Sequence, residues 1–225
     1  MSNKILAFIE SKDGKFKSSG FEMITEAHKI ASETDSELLV FTIASDIESE
    51  VQILAKYGAR KVFAADLNEI NGQNSGSEFK YSAPAFAKAI SEVAKLQNAN
   101  IIILSATSLG KDLAGRIAVR TASSVFNDCI DIKISEGKII ATRPVYAGKS
   151  LIDIMATSDK ILLTLRPNVF MPHEVTADNI KFEKVDVSTL NLTAEDFSTV
   201  VKEIVVSNEK LDVSEADKIV SGGRG

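Results

Sequence analysis

Strand-like and helix-like segments alternate four times over the first 120 residues, and that alternation admits few architectures. Residues 4–10, Lys-Ile-Leu-Ala-Phe-Ile-Glu, form an almost continuous apolar run, as expected of a strand buried on both faces of a parallel sheet. Phe21, Ile24, Ala27, His28 and Ala31 then recur at helical spacing, with Ser18 or Ser19 placed to cap the helix. Residues 37–43 read as a second strand. Asp46 is placed to cap a helix through Val51, Leu54 and Ala55, which Gly58 ends in the left-handed conformation. Residues 61–65 read as a third strand, and 67–80, with Asn71-Gly72-Gln73-Asn74-Ser75-Gly76-Ser77, as a polar loop. A helix opening at Ser82 tolerates Pro84 in its first turn and lines up Phe86, Ala89, Ile90, Val93 and Leu96. The strongly apolar stretch 100–105 and a helix over 111–121 complete the series. Right-handed βαβ crossovers follow, and with them an α/β, Rossmann-like fold: a mostly parallel sheet with helices on both faces.

The pattern changes after Ser123. Residues 130–135, 138–146, 150–156 and 160–166 are short β-branched runs separated by Glu136-Gly137, Ala147-Gly148 and Ser158-Asp159, the spacing of antiparallel hairpins. Residues 181–187 predict one more strand. From 191 to 217 the chain is polar and charged around short apolar pairs, as in a linker arm. It then enters Lys218-Ile219-Val220 and the glycine-rich Ser221-Gly222-Gly223-Arg224-Gly225. An apolar run leading into such a loop is how a nucleotide-binding α/β domain begins, because glycine lets the backbone approach a phosphate closely. The expected division is an α/β domain over 1–187, an arm over 188–217, and the first residues of a second, truncated domain over 218–225.

Composition narrows the function classes. There are 26 basic and 31 acidic residues, a net charge of −5, with neither sign in long blocks, which argues against a nucleic-acid surface. The single Cys129 excludes an internal disulfide and any multi-cysteine zinc or iron–sulfur site, and suits a reducing compartment. No apolar run approaches the ~18 residues of a membrane-spanning helix, and the N-terminus lacks the pattern of a signal or transit peptide, so a cytoplasmic location is expected. His28 and His173 are the only histidines, and no carboxylate pattern beside them spells a metal site. There is no Gly-x-Ser-x-Gly elbow and no His-Glu-x-x-His, so nothing argues for a hydrolase.

Four segments together resemble the α subunit of the electron-transfer flavoprotein family. They are Ala106-Thr107-Ser108-Leu109-Gly110-Lys111-Asp112-Leu113-Ala114-Gly115-Arg116, Thr142-Arg143-Pro144-Val145-Tyr146-Ala147-Gly148-Lys149, Leu163-Thr164-Leu165-Arg166-Pro167-Asn168-Val169-Phe170, and Ile219-Val220-Ser221-Gly222-Gly223-Arg224-Gly225. Their order and spacing match the family's N-terminal domain along the whole chain. Two departures are Gly115, where the family usually has proline, and Lys149, where it usually has asparagine. The resemblance implies a heterodimer with a β subunit, carrying one FAD held mainly by a C-terminal domain. It also implies an electron relay, without substrate turnover of its own, from acyl-CoA and related dehydrogenases of fatty acid β-oxidation to a quinone oxidoreductase. This chain would supply the base that binds the β subunit, would not hold FAD alone, and would contribute Gly222, Gly223 and Arg224 to the flavin loop.

Each motif also has a plainer reading. A guanidinium such as that of Arg224 stabilises the negative charge that reduction places on a flavin ring, whereas by itself the segment is a glycine-rich tail. Residues 105–111 follow a strand and open a helix, so Ser108 and Gly110 fit either a phosphate cradle or a βα turn capped by Ser108 or Asp112. The motif lacks a full phosphate-loop pattern, which favours the turn. Arg143 and Arg166, each followed by proline, fit partner anchors or intrachain pairs, and Tyr146 and Phe170 fit interface or core aromatics. Cys129 and the histidines read as a buried thiol and surface imidazoles. A free-standing adenine-nucleotide-binding domain of the universal-stress or ATP-pyrophosphatase type is the alternative class. It would need a stronger phosphate loop and leaves the terminal Ser-Gly-Gly-Arg-Gly unexplained.

Overall fold

The structure, a computed structural model, describes residues 3–73, 79–176, 179–203 and 219–223. In chain order, β1 (Lys4–Phe8) is followed by a small hairpin, β2 (Ser11–Lys12) and β3 (Lys15–Phe16), and by α1 (Ser18–Glu33). Next come β4 (Glu37–Ile43), a 3-10 turn at Val51–Tyr57, β5 (Lys61–Ala65), α2 (Leu67–Gln73), α3 (Ala83–Gln97), β6 (Ile101–Ser105) and α4 (Ser108–Thr121). The second half holds β7 (Ser124–Cys129), β8 (Asp131–Ser135), β9 (Lys138–Val145), β10 (Ser150–Met155), β11 (Ile161–Leu165) and β12 (Lys181–Lys184). Two more 3-10 turns lie at Val187–Leu190 and Ala194–Phe197.

Seven strands form one sheet in the order β12-β5-β4-β1-β6-β11-β7, every neighbouring pair parallel. Strand alternation splits the apolar residues into two cores. Ile5 and Ala7 of β1 and Ile101 and Ile103 of β6 face α1 and its Met23, Ile24, Ala27 and Ile30. Leu6, Phe8, Ile102 and Leu104 face α3 and α4, meeting Phe86, Ile90, Val93, Leu113 and Ile117. A separate antiparallel sheet, β10-β9-β8, packs Ile132, Ile139 and Ala141 onto the α1 side. The chain therefore has the expected α/β fold with a small antiparallel region.

Several local readings change. β11 does not close a hairpin across Ser158-Asp159 but lies parallel between β6 and β7. All five of its residues are buried, the signature of a strand covered on both faces. The polar stretch after β5 begins with the short helix α2, because the Asp66 carboxylate accepts from Asn68 N–H at 2.8 Å and Ile70 is fully buried. Asp46 caps nothing. The segment it precedes is the Val51–Tyr57 3-10 turn, which Gly58 does end, at φ 100°. Lys17, whose side chain makes no capping bond, stands at the N-cap of α1, and Thr107 rather than Ser108 or Asp112 caps α4. Leu96 points outward from α3.

Candidate functional site

The strand order reverses direction between β1 and β6. From β1 the chain moves by way of α1 to β4 on one side, while β6 leads through α4 to the strands on the other. Loops leaving adjacent strand ends in opposite directions open a crevice, the usual ligand position of such sheets. A cleft of about 750 Å³ lies there, lined by the first turns of α1 and α4 and by Tyr81, Pro167 and Val201.

The start of α4 is built on Thr107 and Gly110. The Thr107 hydroxyl accepts from Gly110 N–H at 3.0 Å, and a Cβ on Gly110 would stand 1.9 Å from the Ser105 carbonyl oxygen. Glu10, just past β1 and only 6% exposed, accepts from Lys17 Nζ at 2.9 Å and from the Thr107 hydroxyl. A helix N-terminus attracts an anion, and beside this one the chain's own carboxylate already holds the cap residue Thr107 and Lys17. That favours the capped βα turn over a phosphate cradle. On the far wall the Tyr81 hydroxyl donates to Asp112 at 2.7 Å. Burial and the adjacent Asp112 carboxylate push that phenol far above its ordinary range.

The second surface is the antiparallel sheet. Its inner residues hold it to the body, whereas β10 is an edge strand with Leu151 59% and Met155 50% exposed. The β9–β10 connection carries three successive left-handed residues, Tyr146 (φ 51°), Ala147 (54°) and Gly148 (84°). For a residue with a Cβ this conformation costs roughly 1–2 kcal/mol, and two of the three bear one. The side chain presented by this strained tip is Tyr146, 80% exposed.

The other residues singled out from sequence are placed differently. Arg143 is half-buried on β9 opposite Ile152, and its Nε is buried without a hydrogen-bond partner among the described residues. Arg166 is paired within the chain, with its Nε 3.1 Å and its Nη2 2.6 Å from the two carboxylate oxygens of Asp128. The Arg166 hydrogen bonds hold the Asp128 carboxyl below the usual carboxylate range against the opposing effect of burial. Asp128 stands at a register shift between β7 and β11, at φ 60°, with its N–H donating to the Thr164 hydroxyl at 2.8 Å. Sequence reasoning missed it; its one signal is the polar Asn127-Asp128 pair interrupting a strand-like run. Phe170 is half-buried against the α1-side core.

Cys129 is fully buried, its S–H donating to the Phe126 carbonyl at 3.2 Å, and burial pushes the thiol up to about 12. His28 is half-buried beneath Gly58, and His173 is exposed. Among the described residues no group of three or more His, Cys, Asp or Glu is arranged to hold a metal ion. None of their helices is long and apolar enough to cross a membrane. Gly222 and Gly223 are exposed with no atom within 4 Å of a would-be Cβ, while Arg224 lies outside the described residues.

Comparison with known proteins agrees with the four motifs. A family model described as "Electron transfer flavoprotein domain" matches residues 5–194. The chain is 32% identical over its whole length to the electron transfer flavoprotein subunit alpha of Bacillus subtilis, covering 65% of that protein. It is 31% identical over 98% of its length to Protein FixB of Clostridium saccharobutylicum, covering 64%. It is 28% identical over 98% of its length to the acryloyl-CoA reductase electron transfer subunit beta of Anaerotignum propionicum, covering 65%. The chain thus spans a little under two thirds of these relatives. With a doubly covered parallel sheet, the hairpin appendage and this match, the chain belongs to the electron transfer flavoprotein family.

Proposed function

We propose that this chain is the partner-binding base of an electron-transfer flavoprotein α subunit, docking a β subunit through the antiparallel sheet. The observation that carries this is the outer end of β9 and β10. There Leu151 and Ile152, on the two faces of β10 next to the turn, adjoin the exposed, left-handed Tyr146 tip, and Met155 is exposed further along the strand. An edge strand with exposed aliphatic side chains is open to association, and aromatic residues are enriched at interfaces. Arg143, on the inner face of the same hairpin, supports the surface from behind. Arg166 acts through Asp128, fixing the end of β7, and Phe170 packs against the α1-side core.

The described residues fit a contribution to flavin binding in the longer protein. The backbone at Gly222 and Gly223 is open, as close approach of a dinucleotide requires. FAD, when bound, supplies the one- and two-electron chemistry of the relay. The role of Gly222 and Gly223 is to let the loop lie against it, and that of Arg224 to hold a fixed positive charge beside the ring. The protein makes and breaks no substrate bond in this reading; it takes electrons from dehydrogenases of the acyl-CoA type in the cytoplasm and passes them to a quinone oxidoreductase. The division into base (1–187), arm (188–217) and entry to the flavin domain (218–225) belongs to the same proposal. The alternative of a free-standing nucleotide-binding domain has less support, because the Glu10 carboxylate already engages the α4 cap residue Thr107 and Lys17.

The test is co-purification with the cognate β subunit. A stoichiometric complex that Tyr146→Asp weakens is the expected result. Failure of the unaltered chain to associate would overturn the docking role.

A further inference from the structure

Residues 193–201 run along the α3–α4 side of the domain, and the polar contacts that hold them converge on one side chain. Asp196 is 6% exposed. One carboxylate oxygen accepts from Lys88 Nζ of α3 at 2.8 Å and from the N–H and hydroxyl of Thr193, each at 2.9 Å. The other accepts from Arg120 of α4 at 3.4 Å. Its own carbonyl accepts from the Ser82 hydroxyl at 3.0 Å. Two cations from two helices and one capping box therefore meet at a single nearly dry carboxylate, the arrangement in which loss of one partner is felt most.

Beyond Asp196 the segment stays attached. Phe197 packs its ring against Phe79 with centroids 5.6 Å apart. Val201 forms an antiparallel bridge with Tyr81: Lys80 N–H donates to the Val201 carbonyl and Val201 N–H to the Tyr81 carbonyl, both at 2.7 Å. Tyr81 and Val201 both line the cleft between β1 and β6. The chain on its way to residues 219–223 thus forms part of the cleft's wall.

We infer that residues 193–201 are a strap latched by the charge of Asp196, and that this latch sets both where the following chain departs and how far the cleft is covered. Most of the strap's hold on the helices is polar and centred on Asp196. Its apolar hold is the buried Phe197 and the partly buried Val200, with the bridge at Val201. Neutralising the carboxylate while keeping its shape should release the strap and leave the seven-stranded sheet untouched. The inference does not depend on a β subunit or a flavin, so it stands or falls apart from the proposed function.

Amide hydrogen exchange on the 225-residue chain, unaltered and as Asp196→Asn, tests it. Exchange at Val201 and at Lys80 should accelerate by about tenfold or more, each factor of ten being about 1.4 kcal/mol of opening free energy. Ile102 and Leu163, in central strands, should exchange as before. Unchanged protection at Val201 and Lys80 would overturn the latch. An equal acceleration in the central strands would overturn it as well, since Asp196 would then support the whole domain rather than the strap. Should Asp196→Asn fail to fold, Lys88→Met removes the 2.8 Å bond while keeping the aliphatic stem, and the same residues are read for the same two outcomes.

Discussion

Two glycines five residues apart on α4 should respond in opposite directions to the same substitution. At Gly110 an added methyl meets the Ser105 carbonyl oxygen at 1.9 Å and its carbon at 3.1 Å, both backbone atoms at the end of β6. Relief requires the first turn of α4 to move by about an ångström, and so deep an overlap with backbone atoms lies at the upper end of overpacking costs, about 3 kcal/mol. Alanine's better helix propensity returns about 1 kcal/mol, so Gly110→Ala should destabilise by roughly 2 kcal/mol. Gly115 lies on the exposed face of the same helix with nothing within 4 Å of a would-be Cβ. There only the propensity gain remains, and Gly115→Ala should stabilise by about 0.5–1 kcal/mol. In a chain of this size each kcal/mol moves the midpoint by roughly 2–4 °C, so thermal unfolding followed by circular dichroism separates the two variants. Urea unfolding with an unchanged m-value would show that stability alone had changed. A Gly110→Ala protein as stable as the unaltered one would refute the close approach of α4 to β6 and with it the geometry of the cleft.

Cys129 should resist a thiol reagent at pH 8 in the native protein and react fully in denaturant, because its thiol is buried and titrates near 12; rapid native labelling would contradict its placement. Arg166→Ala should cost about 1 kcal/mol near neutral pH, a figure kept low because the pair is partly solvent-exposed. Since the Asp128 carboxyl is held below its ordinary value, that contribution is present above about pH 4 and lost as pH falls through the depressed value. A difference between the two proteins that grows on acidification would therefore contradict the pairing. Glu10→Ala should destabilise by roughly 2 kcal/mol in urea, as Lys17 and Thr107 lose a buried acceptor; a neutral effect would mean the carboxylate is not what orders the start of α4.

Where the sequence was readable, one physical pattern made it so. Continuous apolar runs such as Glu37–Ile43 and Lys61–Ala65 can be satisfied only between two covered faces, and both became parallel strands with the expected bounds. The same rule applied to residues 161–165 predicts an inner strand, but the Ser158-Asp159 turn signal next to them suggested a hairpin. Burial of the whole run decided the outcome. The features that shape the candidate site are non-local. Arg166 finds Asp128 across 38 positions, Lys88 finds Asp196 across 108, and Glu10 reaches Thr107 across 97, with no local spacing to announce them. Tyr146 was visible as part of a motif, but the left-handed backbone that presents it belongs to a tripeptide in which only Gly148 advertises such geometry.

The most direct test of the account is the affinity of the 225-residue chain for its cognate β subunit, measured by titration calorimetry for the unaltered protein, Tyr146→Asp and Leu151→Asp. Both side chains are exposed, so neither substitution should disturb the fold. The account predicts a one-to-one complex whose dissociation constant rises about thirtyfold or more in each variant, the effect of losing a residue central to an interface. Equal affinities in all three proteins would place the β subunit elsewhere and contradict the role given to the antiparallel sheet.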